Sequence, residues 1–244
     1  MVIVLIITAV RVKSMDSHRI SGRILAENIA GPGMLRLVEQ SMQARARKTS
    51  VTEIAVKEWK HPQAALTFDD GPDIRYTPLL LDGLKERNVR ASFFLLGEKV
   101  EQYPELVERM QKEGHLVGNH TYHHVQLDKL NETKAREEIL KTNNLIYETT
   151  GVYPLYLRPP FGAWKKNLEL CVEMLPVFWT IDTLDWKVKN TEKIVRTVKE
   201  QIEDGAIILM HDEYDTSVEA ALQVADDLKA QGYQLVTVDQ LILP

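Results

Sequence analysis

The sequence predicts an α/β fold in which short parallel strands alternate with helices. From about Ala55 onward, short apolar runs rich in β-branched and aromatic residues alternate with amphipathic stretches. This alternation is typical of repeated βα units, which build a mostly parallel sheet. Repeated units of this kind form either a (β/α) barrel or a doubly wound sheet, and the pattern alone does not distinguish the two.

The strand candidates are seven apolar runs. They lie at residues 64–68, 89–95, 115–119, 154–158, 177–181, 206–210 and 234–238. Each run is short and carries side chains that pack well on a pleated surface, which favours a strand over a buried helix. We therefore expect seven strands in one sheet.

Helices are expected between these strands. Apolar residues recur every four positions at Ala135 and Ile139, and again along residues 194–202, as on one face of a helix. The segment from Thr216 to Glu219 has the spacing of a capping box before a further helix. Pro104 suits the first turn of another helix, and Gly114 suits its end.

The chain divides into three parts. Residues 1–13 form a short apolar segment that ends at basic residues and is too short to span a bilayer at about 20 residues. It resembles the apolar region of an export signal, without a basic start or a clear cleavage site, so a signal or anchor remnant competes with a buried strand. We favour export. Residues 14–54 are an extension or linker, and residues 55–244 form the main domain.

The composition and net charge of the chain limit its possible partners, disulfides and metal sites. A hydrophobic fraction of 44% and a charged fraction of 27% are ordinary for a globular protein. The net charge of -5 gives no basic surface for nucleic acid, so we expect no nucleic-acid partner. Cys171 is the only cysteine, which excludes an internal disulfide and a multi-thiolate metal site. We expect Cys171 to be a small buried residue.

Polar residues follow five of the predicted strands. They are Asp69 and Asp70 after the first strand, His120 after the third, Arg158 at the end of the fourth, Asp182 and Asp185 after the fifth, and His211 after the sixth. In both candidate architectures, catalytic groups gather where the carboxyl ends of parallel strands meet the following loops. The sequence therefore predicts one polar site at this end of the sheet.

Two adjacent aspartates leave the first strand and are followed by Gly71 and Pro72. At such a sharp turn the alternation of side chains along a strand ends, so Asp69 and Asp70 can face the same pocket. Equally, they could be a turn residue and a helix N-cap. Taken alone, this motif leaves both interpretations open.

Three histidines cluster at positions 120, 123 and 124. On a helical turn His120 and His124 would lie on one side and could share a metal ion, with His123 as the competing second ligand. No glutamate follows His120, so this is not the zincin arrangement, and a catalytic base must come from elsewhere. Asp69 is available for that role.

Two histidines and one carboxylate would leave positions open for water and substrate, which suits a catalytic zinc ion or a related divalent cation. Such an ion lowers the pKa of bound water and polarises a carbonyl, as hydrolysis of an amide or ester requires. A second carboxylate would serve as general base, and a histidine across the site would protonate the leaving amine.

The order of these motifs resembles the polysaccharide deacetylases of carbohydrate esterase family 4, the NodB homology domain. The resemblance spans about residues 55–242 and includes all five motifs of that family. They are TFDDGP at 67–72, HTYHH at 120–124, RPPFG at 158–162, DTLDW at 182–186 and LMH at 209–211. The resemblance implies a distorted (β/α) barrel of about seven βα units, with residues 55–244 as the catalytic domain.

The resemblance also implies roles for individual residues. The matching positions make Asp70, His120 and His124 the ligands of one divalent metal ion, with zinc favoured and cobalt, nickel or manganese as alternatives. Asp69 matches the catalytic base, and His211 matches the catalytic acid. The implied reaction removes acetyl groups from N-acetylated amino sugars in a polymer such as peptidoglycan or a chitin-like chain.

Further positions match supporting residues of the family. Arg158 matches the arginine that orients the base, although a surface cation is the alternative, and Asp185 matches the carboxylate that keeps the acid histidine charged. Phe161 stands where the family often has tyrosine, and its backbone N–H would contact the oxyanion. Trp186 and Leu209 match walls of the sugar groove and acetyl pocket, with core packing as the alternative.

Two other functions keep most of these motifs. A metal hydrolase of a non-sugar amide would differ only in its substrate groove, and a non-catalytic sugar-binding module of the same fold would be expected to lose the base or the acid. We expect an extracellular or cell-wall-facing monomer that is secreted or anchored at its N-terminus, with membrane contact only through that segment.

Overall fold

Eight short parallel β-strands and the helices between them make up residues 61–164 and 174–242, the part of the chain that this computed structural model describes. The predictions for residues 1–13, for residues 14–54 and for Cys171 lie outside the described residues. Within the described ranges, no helix is both long and apolar enough to cross a membrane.

The strands form one sheet in which all the pairings are parallel. They are β1 (Gln63–Asp69), β2 (Ser92–Leu95), β3 (Leu116–Asn119), β4 (Tyr156–Leu157), β5 (Leu175–Pro176), β6 (Ile181–Asp182), β7 (Ala206–His211) and β8 (Gln234–Leu235). The order across the sheet is β5-β4-β3-β2-β1-β7-β6, and β8 pairs with the beginning of β1. The longest strands, β1 and β7, are therefore neighbours near its centre.

The sheet is curled, as the connection between β5 and β6 shows. These two strands stand at opposite ends of the strand order, yet only residues 177–180 separate them. A flat sheet would place its first and seventh strands about 29 Å apart, whereas this connection can span at most about 18 Å. The two edges must therefore approach each other, and the prediction of a distorted (β/α) barrel is confirmed.

The same connection corrects one predicted strand. We expected a strand at 177–181, but residues 177–180 have no strand structure and lie between β5 and β6. Their backbone still bonds to strands near both ends of the sheet, since Val177 N–H donates to Leu157 C=O of β4 at 2.8 Å and Thr180 N–H donates to Ile207 C=O of β7 at 2.9 Å. The apolar run crosses the opening of the barrel instead of adding a strand.

Helices follow most of the strands. They are α1 (Tyr76–Glu86), α2 (Gly97–Gln102), α3 (Pro104–Lys112), α4 (Glu132–Thr150), α5 (Asp185–Val188), α6 (Thr191–Gln201), α7 (Asp215–Ala230) and α8 (Val238–Ile242), with 3-10 turns at Leu127–Lys129 and Pro160–Gly162. The helices predicted from the four-residue spacing correspond to α4 and α6. Pro104 begins α3 as expected, and Gly114, at φ 83°, follows its end.

The predicted capping box is wrong. Helix α7 begins at Asp215, so Thr216 is already its second residue. The Thr216 N–H is bound by the Asp215 carboxylate at 2.8 Å. Glu219, the other half of the predicted box, accepts a hydrogen bond from Thr191 at 2.8 Å. An acidic residue in the first turn supplies the acceptor that the predicted cap would have provided.

The two faces of the central strands have different environments. One face packs under the helices as the main apolar core, which includes Ala64, Leu66 and Phe68 of β1 together with Ala206, Ile208 and Met210 of β7. Because side chains alternate along a strand, the intervening residues face the inside of the barrel. These are Ala65, Thr67 and Asp69 of β1 and Ile207, Leu209 and His211 of β7. The inner face thus becomes polar towards the carboxyl ends of the strands.

Candidate active site

The polar residues predicted at the strand ends do converge. Asp69 and His211 are the last residues of β1 and β7, His120 directly follows β3, and Arg158 directly follows β4. Asp185 begins the short helix α5 after β6. Contacts of 2.7 to 3.8 Å link these side chains, together with Asp70, into one network. The parallel sheet aligns all of these strand ends, which explains why residues distant in sequence meet here.

The turn after β1 directs both aspartates into this network. Asp69 is still in extended backbone on the inner face, whereas Asp70 has φ 69°, a left-handed conformation that turns its carboxylate back towards the same pocket. His120 Nε2 lies 3.7 Å from Asp69 Oδ2 and 3.4 Å from Asp70 Oδ1. Helix α1 begins only at Tyr76, and Asp73 accepts the N–H groups of Arg75 and Tyr76 at its start, so neither Asp69 nor Asp70 caps this helix.

Asp70, His120 and His124 form a group that could hold a metal ion. One ligand atom from each of them lies within 4.8 Å of the others. Among the described residues, Asp70 Oδ1 is buried without a hydrogen-bond partner, and it faces the Nε2 atoms of both histidines at 3.4 Å. A buried carboxylate oxygen without a donor is costly unless something else compensates it, so these residues fit a divalent cation.

The hydrogen bond on the other side of the His120 ring orients it for this role. Its Nδ1 lies 2.6 Å from the Arg158 carbonyl oxygen. A carbonyl can only accept, so Nδ1 carries a proton, and Nε2 is the ring nitrogen that faces Asp70. Metal-binding histidines are commonly held in this way by a backbone carbonyl.

The His120–His124 segment is a turn, so our expectation of a helical turn is wrong. Thr121 and His124 have φ values of 67° and 54°. The turn nevertheless brings the rings of His120 and His124 to a centroid separation of 5.1 Å. The side chain of His123 is 58% exposed and bonds through Nδ1 to Glu138 at 2.7 Å. Of the two candidates for second histidine ligand, the geometry favours His124.

Charge in this group favours metal binding. Burial would raise the pKa of Asp70, but the nearby imidazoles of His120, His124 and His211 outweigh it and hold that pKa well below its usual range. Burial lowers the pKa of His124, which favours the neutral ring. An ionised carboxylate and a neutral imidazole are the forms in which Asp70 and His124 would bind a metal ion.

Arg158 forms a buried ion pair with Asp69. Its side chain is fully buried, so the alternative of a surface cation is wrong. Nη1 donates to Asp69 Oδ1 at 2.8 Å and to Thr67 Oγ1 at 2.7 Å, while Nε donates to the Val177 carbonyl at 3.3 Å. The guanidinium also lies 4.3 Å from the ring centroid of Phe94. These contacts fix one oxygen of Asp69 and leave the other facing the pocket.

His211, at the end of the neighbouring strand β7, is paired with Asp185. Nδ1 of His211 lies 2.7 Å from Asp185 Oδ1, and Asp185 Oδ2 accepts bonds from the His211 N–H at 2.8 Å and from Ser217 Oγ at 2.6 Å. Burial alone would lower the pKa of His211, but the hydrogen bond and negative charge of Asp185, with Asp69 and Asp70 nearby, raise it to about 9. This raised pKa favours the charged, protonated ring of His211 at neutral pH.

The predicted substrate contacts have different environments. Phe161 has φ 60°, is 67% exposed, and places its ring 4.6 Å from that of His124. Trp186, on α5, is 48% exposed. Leu209 is buried on the inner face of β7, two residues before His211. Phe161 borders the pocket, and an exposed Trp186 next to Asp185 is consistent with a groove wall. Asp182 accepts the Leu184 N–H at 2.9 Å and shapes the turn before α5.

Sequence reasoning missed several supporting residues. Thr67 links Arg158 to the Ile208 carbonyl, Ser217 bonds to Asp185, and Glu138 contacts the turn that carries His124. Thr67 could have been inferred, since a hydroxyl two residues before Asp69 shares its face of the strand. Ser217 and Glu138 belong to helices whose rotation about their own axes is not evident from the sequence.

Asp212 is a further buried acid beside the site. It is fully buried, contacts Thr77, and has one oxygen without a hydrogen-bond partner among the described residues. Burial raises the pKa of Asp212 to about 7, against the opposing effects of Thr77 and Lys99. A Cβ added to Gly71 would lie 2.4 Å from this carboxylate. Asp212 therefore packs directly under the turn that carries Asp70.

The chain is similar in sequence and in fold to known proteins. The model of the family described as polysaccharide deacetylase matches residues 57–178. The chain is 40% identical over 205 residues to the peptidoglycan-N-acetylglucosamine deacetylase PgdA of Listeria monocytogenes, covering 84% of this chain and 44% of that protein. It therefore spans less than half the length of that relative.

A second relative and a solved structure match more completely. A peptidoglycan-N-acetylglucosamine deacetylase of Bacillus cereus is 40% identical over 186 residues, covering 73% of this chain and 68% of the relative. The structure of the peptidoglycan deacetylase PdaC from Bacillus subtilis superposes with a TM-score of 0.73 at 43% identity, covering 75% of this chain and 91% of that one.

Proposed function

Since this chain belongs to the polysaccharide deacetylase family, we propose that it is a metal-dependent hydrolase that removes acetyl groups from N-acetylated amino sugars of a polysaccharide. The named relatives act on peptidoglycan, so we propose peptidoglycan as the substrate, with a chitin-like chain as the alternative. The action would then take place outside the membrane, facing the cell wall.

One observation carries this proposal. Asp69, held by Arg158, and His211, held by Asp185, each lie within 4 Å of a member of the Asp70–His120–His124 group. A base and an acid that both lie next to a candidate metal site meet the requirement for amide hydrolysis. A sugar-binding module without catalysis would need neither.

Asp70, His120 and His124 would hold the divalent ion. Nitrogen and oxygen donors of this kind suit zinc, while cobalt, nickel and manganese remain alternatives. A bound ion of this type lowers the pKa of a water molecule and polarises the acetyl carbonyl. The remaining steps depend on the protein's own side chains.

Asp69 would accept the proton of the attacking water. Its Oδ1 is occupied by Arg158 at 2.8 Å, while its Oδ2 faces the pocket near His120. As water adds to the acetyl carbon, the carbonyl oxygen becomes an oxyanion, and the backbone N–H of Phe161 would donate to it. This contact would come from the backbone N–H, which phenylalanine and tyrosine both have. Phenylalanine in place of tyrosine therefore leaves the contact intact as long as the backbone keeps φ 60°.

His211 would complete the reaction. The bond between the acetyl carbon and the sugar nitrogen breaks, acetate leaves, and the amine takes the proton from His211 Nε2. Asp185 on Nδ1 keeps that proton available because it stabilises the charged ring. Trp186 would form a wall of the sugar groove, and Leu209 would contact the acetyl methyl group.

Acetate release tests the proposal. The zinc-loaded full chain is incubated with peptidoglycan, with chitin oligomers and with a cyclic imide, and free acetate and ring opening are measured. We expect acetate from a sugar polymer and no reaction with the imide. In Asp69→Asn, acetate release should fall by about 10²- to 10⁴-fold with zinc retained, because only the base is lost.

Each contrary result has a distinct meaning. Reaction with the imide alone would indicate a hydrolase of non-sugar amides. Binding of a sugar polymer without acetate release would indicate a non-catalytic module. Full activity of Asp69→Asn would remove Asp69 from the role of base.

A further inference from the structure

The turn that carries His124 has a strained backbone. Thr121 and His124, neither of them glycine, have φ values of 67° and 54°. A left-handed backbone is unfavourable for residues that carry a side chain unless their surroundings hold them there. Contacts with neighbouring segments must therefore hold the backbone of residues 121–124 in this conformation.

Glu138 of helix α4 binds this turn from one side through three hydrogen bonds. Its Oε2 accepts the N–H groups of Tyr122 at 3.0 Å and His123 at 2.9 Å. Its Oε1 lies 2.7 Å from His123 Nδ1, which must donate because a carboxylate accepts. A single carboxylate thus binds two consecutive peptide groups and one ring of the turn.

The start of helix α2 binds the same turn from the other side. The N–H groups of Gly97 and Glu98 donate to the carbonyls of Thr121 at 2.9 Å and Tyr122 at 3.3 Å. The peptide groups at Tyr122 are therefore held in both directions, with α2 on the carbonyl and α4 on the N–H. The contacts from α2 are made by backbone N–H groups. The contact from α4 is made by the side chain of Glu138, so a substitution can remove it.

Glu138 is itself held in place. Asn119, the last residue of β3, donates to the Ile139 carbonyl at 2.9 Å and to Asn143 Oδ1 at 2.6 Å, which ties α4 to the sheet. The other amide atom of Asn119 accepts the Thr121 N–H at 2.7 Å. The Glu138 side chain is largely shielded from solvent. Sheet, helix and turn thus form one rigid arrangement around His120 and His124.

We infer that Glu138 is a positioning residue that directs His124 towards Asp70 and His120 and holds His123 outside the site. This inference rests on the proposed metal site. With Glu138 in place, His124 Nε2 lies 3.4 Å from Asp70 Oδ1, while His123 is engaged on the outer surface. Without it, the two freed N–H groups lose their acceptor and the turn can relax, so His124 leaves its position part of the time.

Zinc affinity of the metal-free full chain tests the inference. Metal is removed with a chelator, and Zn²⁺ is titrated against a chromophoric competitor. For Glu138→Ala we expect affinity to fall by about 10- to 100-fold, the range seen when residues that orient metal ligands are replaced. Exchange of the Tyr122 and His123 amide protons should quicken in the same variant.

Two matched variants separate positioning from charge. Glu138→Gln removes the charge but keeps an oxygen that can accept both N–H groups, so it should bind zinc nearly as well as the unchanged protein. Glu137→Ala removes the same charge from the neighbouring, exposed position, and it should leave zinc affinity unchanged. If Glu138→Ala does not fold, Glu138→Asp replaces it, because the shorter side chain cannot reach both N–H groups.

The outcomes distinguish this inference from the proposed function. If Glu138→Ala binds zinc as tightly as the unchanged protein, the inference alone is overturned. Where Glu138→Ala does not fold, the same holds for Glu138→Asp. A loss in Glu138→Gln as large as in Glu138→Ala also overturns it, because charge would then be the cause. Absence of zinc binding by the unchanged protein overturns both the metal site and the inference.

Discussion

Asp69 and His211 are register partners at the last paired position of the neighbouring strands β1 and β7. Neighbouring strands lie about 4.8 Å apart, so their side chains stand next to each other on the inner face of the barrel. Arg158 binds Asp69, and Asp185 binds His211. One register position therefore presents a carboxylate and a protonated imidazole side by side, each fixed by a partner of opposite charge.

The two neighbouring histidines of the turn should differ sharply in metal binding. His124→Ala should lower zinc affinity by more than about 100-fold, because it removes a ligand and not merely a residue that orients one. His123→Ala should stay close to the unchanged protein, since its ring points outward to Glu138. Zinc titration of the metal-free proteins measures both. If His123→Ala loses more zinc affinity than His124→Ala, His123 is the metal ligand and His124 is not.

The Asp185–His211 pair should matter for turnover and not for metal binding. Asp185→Asn removes the charge that holds the proton on His211, so kcat for acetate release should fall by about 100-fold or more, with zinc content unchanged. Ser217→Ala removes one hydrogen bond to Asp185 and should have a smaller effect in the same direction. Loss of zinc from Asp185→Asn would show that the pair acts on the metal site instead.

Gly71 should not tolerate a side chain. In Gly71→Ala, the new Cβ would lie 2.4 Å from Asp212 Oδ1, so the turn that carries Asp70 must move. We expect a loss of about 1 to 3 kcal/mol of stability together with loss of acetate release. Gly151→Ala is the comparison, because its Cβ meets nothing within 4 Å and only its φ of 71° is unfavourable. That variant should lose stability without losing activity in the folded protein.

His115 should make stability decrease in mild acid. It is buried, and its Nδ1 accepts the Ala91 N–H at 3.0 Å. Burial lowers the pKa of His115 from 6.5 to about 4, with Arg90 and Arg109 acting in the same direction and Glu113 opposing them. Between these pH values the unfolded chain binds a proton that the folded chain does not, so stability falls as pH falls from 6.5 towards 4.

The size of this effect can be isolated with His115→Gln, whose amide oxygen can still accept the Ala91 N–H. The stability advantage of the unchanged protein over this variant should shrink by about 3 kcal/mol at most between pH 7 and pH 4, from the shift in pKa of His115. Urea unfolding at both pH values measures it. A constant difference would mean that His115 has the same pKa in the folded and the unfolded protein, which would contradict the prediction.

Much of the fold was predictable because its signals are local. Apolar runs gave strands near six of the seven predicted positions, and the spacing of Ala135 and Ile139 corresponds to helix α4. The strand predicted at 177–181 was wrong, since an apolar segment can cross the barrel opening as well as extend the sheet. The capping box at Thr216 was wrong because the adjacent Asp215 binds the Thr216 N–H that Glu219 would have bound.

The sequence predicted which residues belong to the site, but not how they are arranged in space. The residues at the strand ends could be named from the sequence, because parallel strands place their carboxyl ends together. Their assigned roles remain predictions that the variants above test. The choice between His123 and His124 needed the backbone of the turn, and Glu138, Thr67 and Ser217 became visible only through their contacts.

The sequence by itself determined which chemical groups are present and that they follow successive strands, since motif order and strand alternation are properties of neighbouring residues. Only the tertiary structure decided which groups face one another. Distances such as those from Arg158 to Asp69 and from Asp185 to His211 depend on sheet register, barrel curvature and helix rotation. These join residues far apart in the chain, and so no local pattern encodes them.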